Sequence, residues 1–154
     1  MEIFIGSDHR GFEWKEKLKT FFATTPEWAE YEICDMGPFS YDADDDFNDA
    51  AVAVAQNVRE NRGTLGVLLC GSGDGVAIQA NRFKRIRAAR CKTVEEVKLA
   101  REHDDINVLC LAADGLTDDL AKNLTKTFIT TKFDVHNENR NRRINRLDER
   151  EDYA

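Results

Sequence analysis

The sequence predicts an α/β protein built on a five-stranded parallel sheet with helices on both faces. Three observations carry this. Strand-like and helix-like segments alternate five times along the chain, the pattern of a parallel sheet with helical crossovers. The runs Thr64–Cys70 (TLGVLLC) and Asn107–Ala112 (NVLCLA) are continuously apolar, as strands buried on both faces must be. The length of 154 residues is that of about one domain.

Each element has its own reason. Glu2–Gly6 (EIFIG) reads as the first strand. Arg10–Ala23 places Phe12, Trp14, Leu18, Phe21 and Phe22 on an approximate helical stripe. Tyr31–Asp35 (YEICD) is the second strand, and Phe47–Arg62, rich in alanine and valine, the second helix. Thr64–Cys70 is the third strand, followed by a helix over Gly75–Lys84. Ile86–Cys91 is a short strand, Val94–His103 a helix, Asn107–Ala112 the fifth strand and Asp118–Thr130 the fifth helix. Crossovers of this kind are right-handed. Neither a repeat nor a linker interrupts the pattern, so residues 1–154 are expected to form a single domain. Six aspartates between Asp35 and Asp49, with no basic residue among them, read as a solvated loop. The segment 134–154 carries five arginines against six acids and has little core of its own. It is expected to be a charged C-terminal arm, either frayed or lying on another subunit.

Composition excludes several function classes. With 22 lysines and arginines against 29 acids the formal charge is −7, the wrong sign for a general nucleic-acid binder. A 42% hydrophobic and 33% charged chain fits a globular protein rather than a disordered one. No apolar run approaches the roughly 18 residues of a membrane helix, and the N-terminus lacks the basic n-region of a signal peptide. Cys34, Cys70, Cys91 and Cys110 are scattered, which with no secretory context reads as reduced thiols in the cytoplasm. There is no CxxC pair, and His9, His103 and His136 stand far apart, so no metal site is expected.

In an open parallel sheet, ligands bind beyond the carboxyl ends of the strands. Three segments are therefore informative: Gly6-Ser-Asp-His-Arg-Gly11 after the first strand, Cys70-Gly-Ser-Gly-Asp-Gly75 after the third, and Arg101-Glu-His-Asp-Asp105 ending a helix. The expectation is that they converge on one sheet edge. Glycines at 71, 73 and 75 let backbone amides approach an anion closely. This is no P-loop, because Gly75 is followed by Val76-Ala77. Nor is it a dinucleotide fingerprint, since the spacing is G-x-G-x-G and the next strand ends Ala89-Arg90-Cys91. A Cys-x5-Arg phosphatase loop fails at Val76. What remains is a thiol, Cys70, at a strand end beside oriented amides, a setting for a base or nucleophile. Cys34, Cys91 and Cys110 read as structural. Asp8-His9 can bind hydroxyls and exchange protons near neutral pH, or form a polar turn with Asp8 capping the next helix. His103 alone reads as a cation at a helix C-terminus.

These residues resemble the ribose-5-phosphate isomerase B group, which includes the galactose-6-phosphate isomerase subunits and allose-6-phosphate isomerases. The matching segments are Ile5-Gly-Ser-Asp-His-Arg-Gly11, Cys70-Gly-Ser-Gly-Asp-Gly-Val-Ala-Ile-Gln-Ala-Asn81 with Ile86-Arg-Ala-Ala89, and Ala100-Arg-Glu-His-Asp-Asp-Ile-Asn-Val-Leu109. Their order and spacing match over nearly the whole chain. The resemblance implies a Rossmann-like three-layer α/β/α sandwich that forms a homodimer or a dimer of dimers, with active sites at the subunit interface. It also implies an aldose–ketose isomerase of sugar phosphates that works through an enediolate with no metal or organic cofactor. By position, Cys70 would move the proton between C1 and C2. Ser72 would handle hydroxyl protons, and the amides from Gly71 through Gly73 to Gly75 would hold the enediolate charge. His103 would assist ring opening, while Asp8 and His9 would contact the sugar or its phosphate.

The chain departs from the family pattern at several points. Asp104 stands where asparagine usually follows the ring-opening histidine, and Asp45-Asp46-Phe47 replaces Asp-Tyr-Pro. Asp114 stands where a phosphate-reaching arginine often lies. The tail reads His136-Asn-Glu-Asn-Arg-Asn-Arg-Arg143, so Arg140, Arg142 and Arg143 remain as a phosphate clamp. These departures leave another pentose, a tetrose, a hexose or an unphosphorylated sugar as alternatives, and a non-catalytic sugar-binding homologue as a further one. The catalytic reading requires the thiol at 70 to face a cleft together with the imidazole at 103, one of them lent by a neighbouring chain if need be.

Overall fold

The computed structural model describes residues 1–149. Five strands, β1 (Glu2–Ser7), β2 (Glu32–Asp35), β3 (Leu65–Cys70), β4 (Ala88–Arg90) and β5 (Val108–Ala112), form one sheet in the order β2-β1-β3-β5-β4. Every pairing is parallel. The helices are α1 (Phe12–Thr24), α2 (Phe47–Glu60), α3 (Asp74–Ala80), α4 (Val94–Asp104), α5 (Asp118–Thr130) and α6 (Glu138–Asp148), with a short 3₁₀ turn at Pro26–Trp28. The α/β class and its five-stranded parallel sheet are as the sequence predicts.

The period-2 alternation of the strands divides the core in two. Ile3, Ile5, Val67, Leu69, Leu109 and Leu111 face α1, α4 and α5 through Leu18, Phe22, Val97, Leu124 and Phe128. Phe4, Leu68, Cys70, Val108 and Cys110 face α2 and α3 through Ala51, Val54, Ala55, Val76 and Ala80. The chain leaving β1 therefore passes to one face and the chain leaving β3 to the other. The two strands are neighbours, so their carboxyl ends flank the crevice that opens where the winding reverses.

Gly11 closes this crevice from one side. A Cβ there would stand 2.6–2.8 Å from the Cβ, carbonyl carbon and oxygen of Leu69, a backbone collision that only glycine avoids. The Asp8 N–H also donates to the Leu69 carbonyl at 3.1 Å, which ties the β1–α1 loop to the end of β3.

One sequence expectation is corrected and another narrowed. Asp35–Asp49 is not simply a solvated loop. Asp35 accepts from Lys15 at 2.7 and 2.8 Å and from Lys19, and Asp45 binds His9. Both aspartates find cations far away in sequence. Of the two readings of the arm, the frayed one does not hold over its described part. Asn137 caps α6 by accepting from the Arg140 N–H, Ile144 is buried, and Arg87 pairs with Asp148 at 2.8 Å. The helix lies against α4 of its own chain. Residues 150–154 of the arm lie outside the described residues.

Candidate active site

The β1–α1 loop carries Asp8, His9 and Arg10. Asp8 is buried, and its Oδ1 accepts the Gly11 N–H at 3.0 Å. Burial pushes its carboxyl above the ordinary range, against the opposing pull of the Gly11 amide. The polar turn weighed for Asp8 is thus present, but Asp8 does not cap α1, whose N-cap is Gly11 with no side-chain cap; burial leaves the carboxyl more easily protonated than a surface carboxylate. The His9 ring meets Asp45 Oδ1 through Nδ1 at 2.8 Å, and the His9 backbone N–H donates to the same oxygen at 2.8 Å. That hydrogen bond raises the imidazole above its ordinary value.

A test of this pair follows from the sign of the shift. Because the folded value is raised, the pair's contribution to stability is complete below about pH 6.5, where unfolded histidine is charged. It is lost as the pH rises through the higher folded value. In an NMR titration His9 is expected to titrate above an ordinary histidine, and Asp45→Asn to bring it back down. A His9 that titrates identically in both proteins would show that Asp45 does not control it.

The β3–α3 loop follows. The Cys70 sulfur accepts the Gly73 N–H at 3.1 Å. Gly73 makes this possible with φ +78°, left-handed backbone that other residues adopt with strain. The Gly73 amide thus turns back onto the thiol rather than away from it. Ser72 is exposed, and its Oγ accepts the Asp74 N–H at 3.2 Å. The loop is tied to β5 by the Ala113 and Asp114 N–H groups, which donate to the carbonyls of Cys70 and Gly71 at 2.9 and 3.0 Å. The Phe47 ring packs on Gly75, where a Cβ would come within 3.0 Å of it. Among the described residues, no cluster of three or more histidines, cysteines or carboxylates is placed to hold a metal.

Asp8, His9, Cys70, Gly71, Ser72, Gly73 and Gly75 therefore share the carboxyl edge of the sheet. His103, Asp104, Arg140, Arg142 and Arg143 do not, and the expected convergence on one edge is corrected. α4 runs antiparallel to the strands and delivers its end to their amino edge. There the Gly66 N–H donates to the Asn107 carbonyl at 2.8 Å and the Asn107 N–H to the Arg87 carbonyl at 3.0 Å. β3 alone spans about 20 Å at 3.3 Å per residue, so Cys70 and His103 of one chain cannot meet. The arm lies with His103, since Arg140 pairs with Asp134, whose N–H donates to the Glu102 carbonyl.

The expectation of one cleft shared by Cys70 and His103 fails within the single chain. Cys70 is 4% exposed. Clefts of about 820 and 840 Å³ lie at the amino edge, lined among others by Arg62, Arg101 and Asn107, and by Asn81, Arg82 and Asp104. A small one of about 220 Å³ runs past Ala112 and Asp114. None of these is lined by Cys70. What covers the thiol loop is Arg10. A Cβ on Gly71 would lie 2.7 Å from its Nε, and its Nη2 pairs with both Asp114 oxygens at 2.6 Å.

Sequence reasoning missed Arg10, Asp45 and Arg90. Arg90 pairs with Asp74 at 3.0 Å and reaches the Ser72 carbonyl at 3.5 Å, bracing the loop from β4. Its signal was visible as a charged residue at the end of a short strand. Asn81 of the Ala-Asn motif is structural: it exchanges two hydrogen bonds of 2.8 Å with the backbone of Ala88.

Comparison with known proteins places the fold in a family. The family model described as Ribose/Galactose Isomerase matches residues 3–147. A probable ribose-5-phosphate isomerase B of Mycoplasma genitalium is 37% identical over 133 residues, covering 86% of this chain and 85% of that one. A ribose 5-phosphate isomerase structure from Thermotoga maritima superposes with a TM-score of 0.87 at 38% identity, over 97% of this chain and 98% of that one. The structure of ribose-5-phosphate isomerase B from Mycoplasma genitalium with bound ribulose-5-phosphate gives 0.87 at 35% identity, over 95% and 93%. With its glycine loop over a strand-end thiol and a match across nearly its whole length, this chain belongs to the ribose/galactose isomerase family.

Proposed function

We propose that this protein interconverts an aldose phosphate and a ketose phosphate through an enediolate, with ribose 5-phosphate and ribulose 5-phosphate as the first pair to test. The observation that carries the reading is the Cys70 sulfur at the end of β3, held by the Gly73 N–H among the loop amides and flanked by the Asp8 loop. A proton alpha to a carbonyl needs a close base and a pocket that takes up developing negative charge. Cys70 as thiolate removes the proton from C2 of the open-chain aldose. The electron pair moves onto the carbonyl oxygen, where the amides of Gly71–Gly75 hold the enediolate. The same thiol returns the proton to C1. Ser72 and Asp8, the latter with its raised carboxyl, carry the compensating proton between the hydroxyls on C1 and C2. His9, charged more readily because of Asp45, meets the sugar or its phosphate.

His103 and the arginines of the arm enter from a second copy of the chain. Two half-sites at opposite edges of one molecule are what a two-fold dimer with shared sites requires, because each edge meets its complement on the partner. Large apolar side chains stand exposed beside both halves. Phe39 (81% exposed) and Tyr41 lie in the loop before α2, Ile78 (68%) on α3, and Leu147 on α6. His103 of one copy then opens the sugar ring, with Asp104 beside the sugar, while Arg140, Arg142 and Arg143 clamp the phosphate. Residues 1–154 act as one domain whose arm, 134–154, presents that clamp. No helix among the described residues is long and apolar enough to cross a membrane, and the four cysteines are free thiols. Both fit work in the reducing cytoplasm.

The test is a substrate panel with the full chain: ribose 5-phosphate, other tetrose to hexose phosphates, and free ribose, following ketose formation. Turnover of a phosphorylated aldose, inhibited by inorganic phosphate, is the expected result. Turnover of free sugars alone, or of nothing while a control isomerase works, would overturn it.

A further inference from the structure

We propose that Arg10 is the specificity-determining residue through which this chain holds the anionic group of its substrate, and that Asp114 occupies that place until the substrate arrives. The inference rests on the isomerase reading. Its footing is the position of one side chain. The guanidinium lies across Gly71, the first residue of the loop over Cys70, so any ligand on that loop comes within its reach. Only Nη2 is engaged among the described residues, by both oxygens of one carboxylate. Nε and Nη1 keep their donors.

Several other cations around this edge are committed, Lys92 beside Asp114 in the small cleft excepted. Lys15 is fully buried against Asp35 and the Pro38 carbonyl, Arg90 braces Asp74, and the His9 ring is held by Asp45. Arg10 and Asp114 are 54% and 59% exposed, so the pair sits in water, where a single carboxylate is a weak partner. A phosphate monoester brings more charge and three acceptor oxygens, and an arginine fork matches it better. Asp114 is anchored nearby by its own amide on the Gly71 carbonyl, so it competes at high local concentration and returns when product leaves. The aspartates at 8, 45 and 74 share this edge and disfavour an anion there unless a cation such as Arg10 receives it.

The experiment uses the full chain, with steady-state kinetics on the phosphorylated sugar and calorimetric titration of inorganic phosphate. Arg10→Ala is expected to raise KM about tenfold to a hundredfold while kcat falls less than about threefold, and Arg10→Lys to regain part of the loss. Asp114→Asn is expected to tighten phosphate several-fold, and that gain to vanish in the Arg10→Ala background. An unchanged KM in Arg10→Ala, weaker phosphate binding in Asp114→Asn, or a gain that persists without Arg10 would each overturn the proposal. If the parent protein turns over no sugar phosphate, the isomerase reading fails separately. Phosphate binding that Arg10→Ala abolishes would still support the assignment of Arg10, and binding left unchanged would refute it.

Discussion

Cys70→Ala is expected to lower kcat by about 10²–10⁴ while the protein stays folded, the range for loss of a positioned acid–base group. The side chain removed is small, and the one hydrogen bond lost to it is that of the Gly73 N–H. The cost in stability is accordingly on the order of 1 kcal/mol. Cys70→Ser separates the two roles of the sulfur. A hydroxyl still accepts from Gly73 but is a far poorer source of an anionic base, so the serine variant is expected to be nearly as inactive as the alanine. The other thiols serve as controls. Burial pushes Cys91 up to about 11, and Cys110, fully enclosed, well above its ordinary value. Cys110→Ala is therefore expected to cost stability with little loss of kcat. Steady-state kinetics with unfolding curves on all three variants checks this, and a Cys70→Ala protein within about threefold of the parent would remove the thiol from the mechanism.

The second large effect concerns the scaffold beneath the site. Asp35→Ala is expected to destabilise the fold by about 3–5 kcal/mol, because it strands a buried ammonium. Lys15 is fully buried, with Nζ at 2.7 and 2.8 Å from the Asp35 oxygens and 2.7 Å from the Pro38 carbonyl. Lys19 reaches the same carboxylate at 2.5 Å, and Glu16 lies 3.1 Å from Lys15. Removing Asp35 leaves Lys15 with one carbonyl and a half-exposed carboxylate. The same segment supports β1, since the Ser7 N–H donates to the Gly37 carbonyl at 3.1 Å, one residue before Asp8. Burial by itself raises the Asp35 carboxyl, but Lys15 and Lys19 outweigh it and hold it below the ordinary range. Its contribution is therefore present above about pH 4, where the unfolded carboxylate is charged, and is lost as the pH falls through the lower folded value. Urea unfolding at fixed protein concentration measures the loss. The double variant Lys15→Met/Asp35→Ala is expected to recover much of it, since no charge is left buried.

The strands and most helices were legible because their signals are local. A continuous run such as LGVLLC and a stripe such as that of α2 need no knowledge of the rest of the chain. α6 was not legible as a helix, because among its described residues Ile144 alone is buried. Its readable signal was the Asn137 cap. The loop chemistry was legible at Asp8, His9 and Cys70–Gly75, where strand ends and glycines coincide. Its partners were not. Lys15–Asp35, His9–Asp45 and Arg10–Asp114 stand 20, 36 and 104 residues apart, and no spacing rule links them. The misplacement of His103 was avoidable. A helix that precedes a parallel strand must return to the amino edge of the sheet, so the alternating pattern itself sends residue 103 away from residue 70.

That separation is why the proposed site takes the thiol from one chain and the imidazole from another. Mixing Cys70→Ala with His103→Ala protein, each inactive alone, and allowing subunits to exchange tests it directly. Random pairing makes half the dimers mixed, each with one intact site, so about a quarter of the parental activity should return. Exchange confirmed by mass spectrometry with activity still at the level of the separate variants would contradict the account.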